Sequence, residues 1–299
     1  MLAFAAVYIV WGSTYLAIRF AIESIPPFLM AGARFAVAGL ILVAWSRLRG
    51  AAWPTGREWG VALVTGSLLL LGGNGGVVWA EQQVPSSLAA LIVSAVPLVT
   101  VALDWARPGG QRPGRATMLG LVTGFVGVAV LVNPGAGDAA RVDPAGAAAL
   151  LAATVSWSVG TLYSRRAKGA ASPLMGAGAN MLMGSVGLLA AGVVLGEPSR
   201  LDPAAVTPRS AAALIYLILV GAVIGFTAFF WLVRNTSTAK ATTYAYVNPI
   251  VAIVLGWALA HEPVTPRVLV AATVIISGVV MITTLPHLKA VWSAKRARG

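Results

Sequence analysis

The chain has 299 residues, 58% of them hydrophobic and 10% charged, with a mean hydropathy of +0.85. A soluble domain cannot hide that much apolar surface, so the composition excludes one and points to a polytopic membrane protein. The absence of Cys excludes a disulfide framework or a thiolate metal site, and the net charge of +12 sits in short loops between apolar runs, which reads as membrane orientation rather than nucleic-acid binding.

Ten apolar runs of spanning length follow one another: 2–22, 28–46, 59–80, 86–105, 116–132, 145–163, 173–195, 211–233, 238–260 and 267–285. The first lacks a charged leader and a small-residue cleavage site, so it reads as a retained span. Pro26-Pro27, Asn133-Pro134-Gly135, Glu197-Pro198 and Glu262-Pro263 punctuate the gaps. With the N-terminus inside, the inner loops and tail carry 15 Lys and Arg, against Arg141, Arg200, Arg209 and Arg267 outside. This excess predicts both termini in the cytoplasm.

The chain is written twice. Trp11-Gly12-Ser13-Thr14-Tyr15 aligns with Trp157-Ser158-Val159-Gly160-Thr161, and the same offset places Arg19 on Arg165, Pro27 on Pro173 and Gly32 on Gly178. Further on, an offset six residues larger places Trp79 on Trp231, Ser86 on Thr238 and Pro97 on Pro249. Each copy holds five runs, and an odd-spanning repeat enters the membrane from opposite sides in its two copies. The expected fold is therefore all-α, with ten transmembrane helices in two inverted five-helix repeats, 1–137 and 145–287, and a basic cytoplasmic tail at 288–299. Secondary transporters follow this plan and place their site between the halves.

Polar residues inside the runs are the candidates for that site. Gly72-Gly73-Asn74-Gly75-Gly76 lies in the third run, where each Gly costs about 1 kcal/mol relative to Ala. Close helix packing and a break that bares backbone to a cavity both account for the run. The Asn74 amide should face the protein interior. Ser87, Ala90, Ser94 and Pro97 share one helical face, and Tyr246 belongs to the corresponding face of the ninth run. Pro97 and Pro249 are each expected to bend their helix. Trp11 and Tyr15 share a face that Trp157 repeats. Interfacial anchoring and a cavity wall are both open to the tryptophans, and Trp157 lies deep in its run, which favours the wall.

Charges within spans are few. Arg34 lies about 10 Å along its helix from Pro27 and needs a partner or water. Pairing with Glu23 or Glu81 is one reading, and contact with a substrate carboxylate in an outward vestibule is the other. Glu23, Glu81 and Asp104 at span ends, with Glu262 in a loop, are expected to be solvated, so no proton relay is evident and facilitated export follows.

Several motifs carry a family resemblance: Trp-Gly-Ser in the first span, Ser86-Ser87-Leu88-Ala89-Ala90 with Pro97, the glycines Gly120, Gly124 and Gly127, then Thr238-Ala239-Lys240-Ala241, Asn248-Pro249 and His261-Glu262-Pro263. Together these resemble the EamA-type repeats of the drug/metabolite transporter superfamily, and most of all its YddG-type exporters of amino acids and metabolites. One departure is visible, for Gly109-Gly110-Gln111 stands where the first copy would carry an acidic counterpart of Glu262. The resemblance implies a bacterial inner-membrane exporter of small metabolites, including aromatic amino acids, working by alternating access. From the residues, the candidate substrate contacts are Trp11, Tyr15, Asn74, Ser94, Trp157 and Tyr246. No catalytic residue, metal or cofactor is expected, and no partner other than substrate and lipid bilayer, with the chain acting as a monomer. A carrier of sugar phosphates or nucleotide sugars is the alternative, and a membrane-embedded enzyme a more distant one. Phosphorylated substrates would demand several cations in the cavity.

Overall fold

The computed structural model describes residues 2–110, 112–132, 143–235 and 244–296, and among these the chain is helical with no strand. The long helices are α1 (Leu2–Ala21), α2 (Pro27–Leu48), α3 (Gly56–Ala80), α4 (Ser86–Ala106), α5 (Arg115–Val132), α6 (Pro144–Arg166), α7 (Pro173–Val194), α8 (208–235), α9 (Tyr244–Ala260) and α10 (Pro266–Arg296). The first eight are long and apolar enough to cross a bilayer, and α9 and α10 contain the shorter apolar stretches Val247–Ala260 and Pro266–Ile282. Proline opens α2, α6, α7, α8 and α10, where its missing N–H would have had no helical partner. Ahead of three of these, Asp143, Ser172 and Thr207 cap the first turn through their side chains. The segment expected as a basic tail continues α10 as helix to Arg296.

Lipid tails supply no hydrophobic drive for helix association, so close backbone approach has to hold the bundle. Helix α2 runs antiparallel to α7, with Gly32 on Leu189 and Val43 on Gly178, and a Cβ added at Gly39 would stand 3.0 Å from the Gly178 carbonyl oxygen. Helix α5 meets α10 just as closely, for a Cβ on Gly278 would stand 2.6 Å from the Gly124 nitrogen. Each of these pairs joins corresponding spans of the two halves. The remaining packing is similarly matched, since α1 lies on α8 and α9 as α6 lies on α3 and α4.

Two departures from α geometry also correspond. Ser67–Asn74 of α3 and Leu217–Ile224 of α8 are both π-helical. Such segments are rare and concentrate at functional sites. In α3 the glycine run lets α6 approach the widened turn. Gly72 meets the Ser156 hydroxyl, which donates to the Leu68 carbonyl at 2.8 Å, and a Cβ on Gly73 would stand 2.8 Å from the Trp157 ring. Close packing of the run is what the structure shows, and in place of a break α3 carries a widened but continuous π-helical turn.

The helices that carry the two prolines differ in continuity. Helix α4 breaks into Ser86–Val93 and Val96–Ala106, with Pro97 in the first turn of the second piece. The Ser94 hydroxyl donates to the Leu91 carbonyl at 2.6 Å, and Ser158 donates to Val96 O at 3.3 Å. Helix α9 passes Pro249 without interruption.

One end of the bundle is tied by two buried carboxylates. Glu197 accepts from the amides of Phe28 and Leu29 at 3.2 and 2.8 Å, at the start of α2. Glu262 accepts from the Ser86 and Ser87 amides at 2.8 and 2.9 Å, at the start of α4. Each satisfies amides that have no helical acceptor and places negative charge on the positive end of a helix dipole. Glu262 is 4% exposed, so the expectation of a solvated loop carboxylate is overturned by its capping role.

Candidate functional site

A cavity of about 140 Å³ opens among seven of the ten helices. Helix α1 supplies Trp11, Thr14, Tyr15 and Ile18, and α2 supplies Arg34 and Phe35. The altered stretch of α3 contributes Leu70, Gly73, Asn74 and Val77, and the broken centre of α4 contributes Ala90, Val93, Ser94, Val96 and Pro97. Ala153 and Trp157 come from α6, Phe226 from α8, and Tyr244, Asn248 and Pro249 from α9. The backbone irregularities thus shape the walls. Asn74 ends the π-helical turn of α3, and Ser94 occupies the break in α4.

Five of the six residues singled out from the sequence, Trp11, Tyr15, Asn74, Ser94 and Trp157, converge on this cavity. The sixth, Tyr246, lies in α9 with its side chain outside the described residues, as are the side chain of Trp231 and all of Lys240. Tyr244, two positions earlier, does line the cavity. Trp79 packs half-buried on the core and does not line the cavity.

Away from the capped end the cavity meets an aromatic cluster. Trp11 contacts Phe226, Phe229 and Tyr244 with ring centroids 5.3, 5.1 and 5.0 Å apart. Offset and edge-on contacts at these separations are favourable beyond their buried area. Asn248, with its amide oriented to donate, reaches the carbonyls of Tyr244 at 3.2 Å and Tyr8 at 3.3 Å and ties α9 to α1.

Toward the capped end the cavity meets charge. The Arg34 guanidinium reaches the wall while the residue is 4% exposed, and its Nε and Nη1 have no hydrogen-bond partner. The expected pairing with Glu23 or Glu81 does not form. Glu23 instead faces Arg209 at 3.5 Å, and both oxygens of Glu81 are buried without a hydrogen bond. Glu81 was expected to be solvated at a span end, yet it is 2% exposed, with Glu262, Arg19 and Arg34 as its charged neighbours. Arg19 Nε stands 3.8 Å from Glu262 Oε1. Arg34, Glu81, Glu262 and Arg19 gather beside the cavity.

Sequence reasoning missed Phe226, Tyr244 and Asn248, and it left Arg34 open between an ion pair and a substrate contact without listing it among the candidate contacts. A signal for Phe226 was present, for the offset that carries Trp79 to Trp231 also carries Asn74 to Phe226. No such signal marks which way Arg34 points.

Membrane-length helices enclosing a mostly apolar cavity with a few convergent polar groups define a membrane transporter. The chain belongs to the EamA-like transporter family, which it matches over residues 1–133 and 144–284. It is similar to the uncharacterised inner membrane transporter YedA of Escherichia coli strain K12, at 39% identity over 94% of this chain and 89% of YedA. It is also similar to the uncharacterised transporter YvbV of Bacillus subtilis strain 168, at 26% identity over 95% and 91%, and to the protein PecM of Dickeya dadantii strain 3937, at 25% over 91% and 88%. A solved crystal structure of a protein 19% identical shares the fold, with a TM-score of 0.65 over 95% of this chain and 97% of that one. The protein is thus a multi-pass membrane transporter.

Proposed function

We propose that the protein exports small metabolites, with amino acids including aromatic ones as the substrate class, across a bacterial inner membrane. The halves act as inverted repeats with both termini in the cytoplasm, and alternating access exposes the cavity to each side in turn. The chain works as a monomer and has no enzymatic role.

The observation that carries this reading is the composition of the cavity wall. Trp11, Trp157, Phe226 and Tyr244 offer stacking surface, while Asn74, Ser94 and Arg34 supply polar contacts. Arg34 is the one Lys or Arg among the described lining residues. A phosphate dianion would call for more cations, so a zwitterion with an apolar side chain fits better than a sugar phosphate. The antiparallel pairing of corresponding helices supports the inverted-repeat arrangement.

The test is flux from proteoliposomes loaded with radiolabelled phenylalanine, leucine or glycerol 3-phosphate. Saturable release of the amino acids above that of empty-vesicle controls, with none of the phosphate, is expected. Release of the phosphate alone would favour the sugar-phosphate carrier.

A further inference from the structure

We propose that Arg34 is the anchor for a substrate carboxylate, and that the cavity takes small monocarboxylates whose apolar part lies against Trp157 and Phe226. The inference rests on the transporter reading above and assigns the acidic pole of the same site.

Three observations carry it. The first is that Arg34 is unsatisfied by the fold. Its side chain is buried, its Nε and Nη1 lack hydrogen-bond partners, and no carboxylate among the described residues stands within salt-bridge distance of it. The Phe35 ring lies 4.7 Å from the guanidinium carbon, but a buried charge without a hydrogen-bonded counterion is costly, so the position calls for a group that arrives from outside the chain. The second is access. Arg34 lines the cavity with its Nε and Nη1 just beneath the wall, and its Nη2 packs on Gly221 of α8, where a Cβ would stand 3.3 Å away. The planar fork of arginine matches a carboxylate with two parallel N–H···O bonds. The third is that Arg34 is the one Lys or Arg among the described lining residues. Glu81 is buried with both oxygens free of hydrogen bonds and attracts Arg34 through space without reaching it. It makes no hydrogen bond to the guanidinium, so the Nε and Nη1 donors stay uncommitted. One available cation suits one carboxylate.

The Asn74 Oδ1 also lacks a partner and belongs to the same wall. It is an acceptor suited to an ammonium group and gives the cavity a second polar contact for an amino acid.

The test uses isothermal titration calorimetry on the purified full-length protein in detergent, with three probes of one ring size. L-phenylalanine carries both charges, 3-phenylpropanoate only the carboxylate, and phenethylamine only the ammonium. The two carboxylates are expected to bind, with phenethylamine about ten- to a hundredfold weaker, as the loss of a charge-assisted hydrogen-bond pair requires. Arg34→Gln should weaken the carboxylates by a similar factor, and Arg34→Lys by less. Because Arg34→Gln leaves Glu81 without its countercharge, the double variant Arg34→Gln/Glu81→Gln removes both charges together and guards against misfolding. It should show the same loss. Glu81→Gln alone should tighten the carboxylates several-fold, an effect that a merely structural Arg–Glu pair would not give.

Phenethylamine binding as tightly as phenylalanine, unchanged carboxylate affinity in the double variant, or no binding by any carboxylate probe would overturn the assignment. Binding of 3-phenylpropanoate without phenylalanine would uphold Arg34 and defeat the amino-acid reading. Unchanged phenylalanine binding in the double variant would do the reverse.

Discussion

Glu262 Oε1 accepts from both the amide and the hydroxyl of Ser86, each at 2.8 Å, although the two residues belong to opposite halves of the chain. The contact ties the end of α9 to the start of α4. Glu262→Ala exposes none of these donors to water, so they would be left buried and unpaired. The expected cost is about 1–3 kcal/mol, read as a lower midpoint of thermal unfolding in detergent by intrinsic fluorescence. Ser86→Ala keeps the amide bond and should cost less. Equal melting of Glu262→Ala and the unsubstituted protein would show that the cap contributes nothing.

The close helix crossings make a second prediction by contrast. A Cβ on Gly278 would meet only backbone atoms of α5, at 2.6–2.7 Å, and backbone cannot rotate aside. Gly278→Ala must separate α5 from α10 and should destabilise the bundle by about 1–3 kcal/mol. Gly60, inside α3, has nothing within 4 Å of the same position. There Ala should be neutral or stabilising by up to about 1 kcal/mol, because it restricts the backbone without a clash. Parallel melting curves check both, and a stable Gly278→Ala would mean that the crossing is looser than it looks.

Topology can be read directly, because the chain has no native cysteine. Ser199 is exposed beyond α7 at the capped end, and Ser164 is exposed near the end of α6 at the opposite one. With both termini cytoplasmic, Ser199→Cys should react with a membrane-impermeant maleimide added to intact cells. Ser164→Cys should react only after permeabilisation. The opposite pattern would invert the assigned orientation.

How much of this was legible in the sequence depended on the kind of signal. Helix positions follow from run length and proline punctuation, both local properties, and the ten long helices fall where the runs do. Trp11, Tyr15, Asn74, Ser94 and Trp157 could be gathered because each is polar or bulky at a depth where lipid would not favour it, and because some repeat between the halves. Glu197 and Glu262 gave no such hint. A carboxylate beside a proline in a loop looks solvated until tertiary packing brings a helix start onto it. The glycine run in α3 and Pro97 in α4 marked altered backbone, but the π-helical form of the one and the placing of the break at Ser94 involve Ser156, Trp157 and Ser158 of α6 from across the bundle. Arg34 shows the limit most clearly. Pairing with Glu23 or Glu81 was the natural reading of sequence distance, but Glu23 faces Arg209 and Glu81 stops short.

The two tryptophans of the cavity should separate by experiment, because their surroundings differ. Trp157 presents its ring to the cavity and to Gly73, so Trp157→Ala removes stacking surface from the site. The apparent KM for phenylalanine in proteoliposomes should rise about tenfold or more, as the loss of an aromatic contact and its buried area implies, with a smaller rise for alanine. Trp157→Phe should fall between. Trp11 packs against three rings that hold α1, α8 and α9 together, so Trp11→Ala should also lower the melting midpoint, at a cost of about 3–5 kcal/mol. The split between affinity and stability is what checks the reading. A Trp157→Ala protein with unchanged KM for phenylalanine would remove Trp157 from the substrate wall.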